Sequence, residues 1–463
     1  MTIDTQRAPD GRSTQDDLPT VPAYLGQRHL WLMDRYRGGA GLLAVPILLR
    51  MRGPLDRPAL GAALADLLAR HDALRTTLHW RRGLHQTVHP VGDLDLPIQV
   101  TDVSDGPDPQ ACAELLSVRF LRENTDVAHR SLDAALWRIG PDDHLFVLNV
   151  HHLVTDGWSN MVLRRDLAAL YSGHATGRQV DLPVPGWSFT EFGAWEQRHL
   201  DEDRVAGHQR FWREQLRGAR GVRLYEDVED TPTGPAATPG SMFPKHQPRP
   251  MSEHTWFDLD ADVVTRLREV ARQEHTTLFV VLLALYFRVM LGVRGQTDLT
   301  IGSIFANRAR RETQDMVGLL ANLALIRVRE ADRAAFGEVV AQVRRGVLQA
   351  LAHQELPFSQ LPQDTMDDDP AAKSDSVVFQ MLAVPPTVPQ VRTAFAGLDV
   401  TQPFIPAGLS ARFDLELLVF PPAEAGRGVS CVFRYAGNRH DSAFIQHLVT
   451  AYRGAAADAA GTP

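Results

Sequence analysis

The chain has 463 residues, 44% of them hydrophobic, and a formal net charge of -8. That length suggests about two to four folded units with ample buried core. The mild acidic balance excludes the basic stripe expected of a nucleic-acid binder. The only cysteines, Cys112 and Cys431, are far apart and match no metal spacing. A disulfide framework is therefore not expected, and a reducing cytoplasm is the expected compartment.

Residues 1–20 contain no apolar segment and read as a flexible tail, not a secretory signal. A tail that begins with Met suggests a free-standing chain. The stretch 55–71 opens with Asp56 and Pro58, a helix start, and then places Leu60, Leu64, Leu67 and Leu68 on one face. Residues 75–80 and 87–89 read as strands with a turn at Arg82 and Gly83, and 111–123 as a helix. Residues 132–139 and 144–150 read as an antiparallel pair, and 158–172 as a helix. The Gly- and Pro-rich stretch 173–187 marks the boundary between a lobe at 21–180 and a second at 181–463. A long helix is predicted over 188–216 and a mobile Pro-rich loop over 227–251.

The second half repeats the theme. Helices are expected at 260–275, 277–291, 332–352 and 441–457. Strands are expected at 298–304, 322–329, 376–383, 412–420 and 429–436. The apolar run 278–287 is too short to span a bilayer and reads as a buried helix. Mixed helices and strands in both halves predict two α/β lobes.

The best chemical signal is VHHLVTDGWS at 150–159, an apolar strand ending in two histidines before a turn and a helix start. Neighbouring side chains on a strand point to opposite faces, so His151 and His152 should not share a cleft. One should be structural and the other free for chemistry. A strand-end histidine is more often simply a satisfied, partly buried residue. A metal site is weaker still, because adjacent strand residues chelate poorly. His85 and His89 share a face but lack a third ligand, and read as surface histidines.

HHLVTDG resembles the HHxxxDG signature of the condensation-domain superfamily of nonribosomal peptide synthetases. Further segments resemble that family in order along the chain: QRHLW (27–31), RHDALRT (70–76), FTEFGAW (189–195), VGLLANL (317–323), HQELPF (353–358) and FDL (413–415). The departures are small. His29 stands as an extra residue in the first, Asp72 replaces the usual Glu, and Leu replaces the usual aromatics in the fourth. The resemblance covers about residues 20–460.

The resemblance implies two chloramphenicol-acetyltransferase-like lobes in a V-shaped pseudodimer, with a central tunnel near the histidines. It implies a free-standing enzyme that joins an acyl or aminoacyl thioester to an amine or hydroxyl, giving an amide or ester. The thioester would ride on the phosphopantetheine arm of an acyl or peptidyl carrier protein, with no resident cofactor or metal. The acceptor would be carrier-bound or a free small molecule, and no nucleic acid or membrane would take part. His152 is the implied catalytic histidine and His151 a supporting one. Asp156 would brace the loop through an arginine, for which Arg75 and Arg308 are both open. Gly157 would let the backbone approach the reacting carbonyl. Glycine tolerates backbone conformations closed to other residues.

The heterocyclization branch replaces the histidines with aspartates, which this chain does not. A recruitment branch would show a degraded motif. The sequence carries no GGxS-like phosphopantetheine attachment site, no phosphate-binding glycine loop and no GxSxG elbow. The thioester must then come from another protein or from coenzyme A. A coenzyme A-dependent acyltransferase and a non-catalytic recruitment module remain alternative readings.

Overall fold

The computed structural model describes residues 18–37, 41–94, 96–123, 125–222, 224, 251–329, 335–361, 377–382, 395–403, 407–420 and 428–461. The first half runs β1 (Thr20–Pro22), α1 (Leu25–Arg37), β2 (Ala44–Arg52), α2 (Arg57–Arg70), β3 (Thr76–Trp80), β4 (Leu84–Val88), β5 (Ile98–Asp102), α3 (Pro109–Arg122), β6 (Leu132–Gly140), β7 (Asp143–His151) and α4 (Gly157–Thr176). Next come α5 (Phe189–His199), α6 (Glu202–Leu216), β8 (Ser252–Leu259), α7 (Ala261–Gln273), α8 (Leu278–Arg294), β9 (Asp298–Phe305) and β10 (Asn322–Arg329). The chain ends with α9 (Phe336–Ala352), β11 (Val377–Met381), β12 (Asp399–Thr401), β13 (Leu415–Phe420), β14 (Val429–Ala436) and α10 (Ser442–Ala459).

Among the described residues, the strands form a five-stranded sheet (β12-β2-β7-β6-β5), a six-stranded sheet (β10-β9-β11-β13-β14-β8) and a small sheet (β1-β4-β3). Each large sheet carries its own core. Strand β7 carries the apolar run Leu145–Leu148 because it lies between β2 and β6 and is buried from His144 to His151. Helices α2 and α4 pack on that sheet through Leu64, Leu67, Val162, Leu163 and Leu167. In the second unit α8 is apolar all round and runs through the middle of the core, with Tyr286 and Phe287 fully buried. Among the described residues, no single helix is long and apolar enough to cross a membrane.

Local chemistry explains the helix starts. Asp56 caps α2 through the Ala59 amide at 2.9 Å, and Asp156 caps α4 through the Ser159 amide at 2.8 Å. The long helix predicted over 188–216 is two helices. Ser188 and Glu191 form a capping box on α5, the chain turns at Leu200, and Asp201 caps α6 through the Arg204 amide. Two polar caps thirteen positions apart, Ser188 and Asp201, outweigh a continuous helical pattern.

The two halves of the sequence also interleave. Strand β12 pairs with β2 in the first sheet, and Leu319, Leu320, Phe395 and Leu398 join the first core. Thr20, at the end of the predicted tail, pairs with Thr87 in β4. Residues 1–17 of that tail and 227–250 of the predicted loop lie outside the described residues.

Candidate functional site

Strand β7 stops at His151, and His152 is the first residue of the turn that follows. Strand alternation therefore does not orient the second histidine; the turn does. The His152 amide donates to Leu43 O at 2.9 Å and the His151 amide to Ser131 O at 2.8 Å, which pins the pair between two neighbouring segments. His152 Nδ1 then lies 2.7 Å from Thr155 O. A carbonyl oxygen only accepts, so Nδ1 carries the proton and Nε2 keeps its lone pair. The ring is partly exposed. Burial and the charge of Arg412 push its pKa down to about 3, against the opposing pull of Thr155 O and Asp156. His152 is thus a neutral imidazole of one tautomer.

His151 is buried and turned to another task. Its Nδ1 accepts the Leu153 amide at 3.2 Å, and Nε2 faces Asp34 Oδ2 at 3.7 Å. The polar groups beneath the turn are matched as well. Gln27, fully buried, donates from Nε2 to Leu153 O at 3.0 Å and to Gln86 Oε1 at 3.2 Å.

Asp156 is fully buried. It accepts from the amides of Ser159, Leu320 and Ala321 at 2.8, 2.9 and 3.0 Å, and from Arg308 Nη2 at 3.1 Å to each oxygen. Burial alone would raise its pKa, but Arg308 and the amides of Ser159 and Leu320 reverse the shift and hold it below the usual carboxylate range. Ser159 Oγ donates to Gly318 O at 2.8 Å and accepts from the Gly318 amide at 3.1 Å. The turn is thereby stapled to residues 318–321 of the distant half.

Of the two arginines left open by the sequence, Arg308 meets Asp156. Arg75 does not: its guanidinium bonds Leu68 O at 2.8 Å and His89 O, bracing the start of β3. Gly157 also differs from expectation. It is an exposed first residue of α4, outside the positive-φ region, and a Cβ built there would meet nothing within 4 Å. Backbone freedom is not what requires glycine here. The open space in front of it is the remaining reason. His85 bonds Gly83 O at 3.0 Å and His89 bonds Thr77 Oγ1 at 2.9 Å, so both are half-buried braces. Among the described residues no group of three or more His, Cys, Asp or Glu gathers as a metal site.

Other motif residues prove to be braces, a role that their sequence context does not show. Asp72 accepts from the amides of Phe189 and Thr190 at 2.9 and 3.2 Å, fixing the start of α5. Asn322 donates to Gln354 O and Leu356 O and accepts from the Phe358 amide, so it ties two of the matched segments together.

A family model described as the condensation domain matches residues 15–463. The chain belongs to the condensation-domain family. That family acts as transferases in amide-bond formation, working with carrier proteins. The domain is 34% identical over 360 residues to phosphinothricin tripeptide synthetase PhsC of Streptomyces viridochromogenes, covering 76% of this chain and 31% of the relative. It is 29% identical over 426 residues to cyclosporin synthetase simA of Tolypocladium inflatum, covering 89% of this chain and 3% of the relative. The domain therefore spans less than a third of these synthetases. Among solved structures it resembles the SgcC5 protein from Streptomyces globisporus, with TM-score 0.75 and 24% identity over 96% of this chain and 99% of that one. It also resembles the X-domain from teicoplanin biosynthesis, with TM-score 0.77 and 22% identity over 97% of each chain. These likenesses establish the chloramphenicol-acetyltransferase-like fold of the condensation domain as the fold of this chain.

Proposed function

We propose that this condensation domain joins an acyl or aminoacyl group, carried as a thioester on the phosphopantetheine arm of a carrier protein, to an amine or hydroxyl acceptor. The product is an amide or an ester, and the reaction belongs to cytoplasmic natural-product biosynthesis. The observation that carries this reading is the 2.7 Å contact between His152 Nδ1 and Thr155 O, which leaves Nε2 free to accept a proton on a neutral, partly exposed ring.

In the proposed step the acceptor nitrogen attacks the thioester carbon, and the carbonyl electron pair moves to oxygen. His152 Nε2 takes a proton from that nitrogen. The adduct collapses, the C–S bond breaks, and the proton passes to the departing thiolate. The Gly157 amide, at the positive end of α4, is the proposed donor to the developing oxyanion. His151 supports the turn through the Leu153 amide, and Asp156 with Arg308 braces it. Asp156 is not a base in this scheme, because its oxygens are already engaged.

Wild type and His152→Ala should be incubated with an acyl-carrier donor, acyl-coenzyme A and candidate acceptors. Product from the carrier thioester with wild type, and its loss in a folded His152→Ala, supports the proposal. Equal use of free acyl-coenzyme A would favour the acyltransferase reading. No turnover with any donor would favour a recruitment module.

A further inference from the structure

Chain from the second half is fastened to β2 at both ends. At one end β12 pairs antiparallel with β2, Asp399 opposite Arg52 and Thr401 opposite Arg50. Between them, Leu409 packs with Leu48 and Val147 in a small core under the same sheet. At the other end Arg412 Nε donates to Leu42 O and Nη2 to Ala44 O, both at 2.8 Å. Leu43, between those carbonyls, is the residue whose own carbonyl receives the His152 amide. Ala44 stands opposite His151 in the β2–β7 register. The guanidinium therefore grips the backbone on both sides of the atom from which the histidine turn hangs.

Resting on the function proposed above, we infer that Arg412 is a positioning residue for the condensation step, holding the Leu42–Ala44 backbone so that the His152 ring keeps its place, with a fixed cation beside it. A cation there disfavours an imidazolium in the resting protein, in keeping with the depressed pKa of the ring. Among the described residues the other charge acting on the ring is Asp156, itself paired with Arg308, and the adjacent His151 faces Asp34. Of these, Arg412 comes from neither the histidine turn nor the Asp156 brace, so it can be altered while both remain.

The test compares wild type, Arg412→Gln, Arg412→Lys and His152→Ala, using one acyl-carrier donor and one alcohol acceptor, whose own ionisation stays out of the pH range. Arg412→Gln should lower kcat at least about tenfold with KM for the donor nearly unchanged, and should raise the imidazole ionisation in the kcat profile part of the way from its wild-type position, since burial of the ring remains. Arg412→Lys keeps the charge but cannot bridge two carbonyls as a planar fork does. It should keep the wild-type pH profile and still lose kcat. If Arg412→Gln does not fold, Arg412→Lys decides: wild-type kcat in that variant overturns the inference. A wild-type kcat and pH profile in folded Arg412→Gln also overturns it. Full activity in His152→Ala would instead remove the histidine chemistry on which the inference rests.

Discussion

The Arg308 guanidinium reaches both carboxylate oxygens of Asp156 at 3.1 Å, across 152 residues of sequence, and neither side chain meets solvent appreciably. Such a pair is a brace whose loss is costly, because removing one partner leaves the other charged and buried. That typically costs about 3–5 kcal/mol. Asp156→Ala and Arg308→Ala should each lose stability on this scale, and the double variant should lose less than the two together. Denaturant midpoints of the four proteins measure this. Unchanged stability with lost turnover in Asp156→Ala would move the carboxylate from bracing to chemistry.

The His152 ring is held at about 3 by burial and Arg412, so it stays neutral well below pH 6.5. With an α-amino acceptor, of pKa about 8, the acid limb of kcat/KM should follow the amine. With an alcohol acceptor that limb should disappear, leaving kcat/KM flat from pH 8 to about 5. An ionisation near 6.5 in the alcohol profile would contradict a ring of depressed pKa.

Stability should respond to pH through three groups, two histidines acting in one direction and a carboxyl in the other. The partly buried His152 ring takes up its proton only near 3, whereas an unfolded histidine does so near 6.5. Its contribution is present above 6.5 and is lost as pH falls toward 3. His440, lowered to about 4 by burial and Arg439, acts in the same direction. Glu196 acts the other way. Burial raises its carboxyl to about 7, from 4.5, although Oε2 accepts the Leu25 amide at 2.9 Å. The folded form then holds a proton the unfolded chain has released, and stability falls as pH rises from 4.5 through 7. Glu196→Gln keeps an acceptor without a charge. It should match wild type at pH 4.5 and exceed it at pH 8 by roughly 3 kcal/mol. Equal stability at both pH values would show that Glu196 is not protonated in the folded protein.

The sequence reveals the order of the matched segments, and three of them hold residues whose side chains bond to distant backbone groups. Gln27 serves Leu153 O, Asp72 the start of α5, and Asn322 the 354–358 turn. Exchanging such a residue strands a backbone group that is partly or, beside Gln27, fully buried, so residue type carries the signal in the chain. The partner leaves none. Nothing local distinguishes Arg75 from Arg308, because the choice depends on a contact closed only by the folded topology. The same holds for β12, a three-residue strand whose only recommendation is its neighbour β2. Arg412 is hidden in the sequence for a related reason: the Leu42 and Ala44 carbonyls that it grips lie some 370 residues away and leave no side-chain pattern.

Gly157 distinguishes two reasons for a glycine. Its φ lies outside the left-handed region and a Cβ would meet no atom within 4 Å, so Gly157→Ala should fold with the stability of wild type or slightly better. The added methyl would occupy the open space before the helix N-terminus. Turnover should therefore fall in Gly157→Ala and fall further in Gly157→Val, with melting temperatures unchanged. Full activity in Gly157→Val would show that substrate does not approach this backbone.

The final prediction concerns how the two acceptor types use His152. An amine with pKa about 8 is partly uncharged near neutrality and attacks without assistance. Attack turns its nitrogen into an ammonium centre more acidic than the free amine, and that proton can leave after the C–N bond has formed, so no base need act during attack. A hydroxyl has no such route. Its proton must leave while the C–O bond forms, and it must go to Nε2, the ring atom left free by the Nδ1 contact with Thr155 O. As the carbonyl oxygen gains charge, a nearby proton on the imidazole becomes more favourable, which offsets the low resting pKa. General-base assistance of this kind is typically worth ~100–10,000-fold. His152→Ala should accordingly reduce ester formation by that range and amide formation by much less, when both are measured with one acyl-carrier donor and matched amine and alcohol acceptors. Equal fractional losses in the two reactions would sink the idea. They would mean that His152 orients the acceptor or steadies charge in both reactions, without moving the proton during attack.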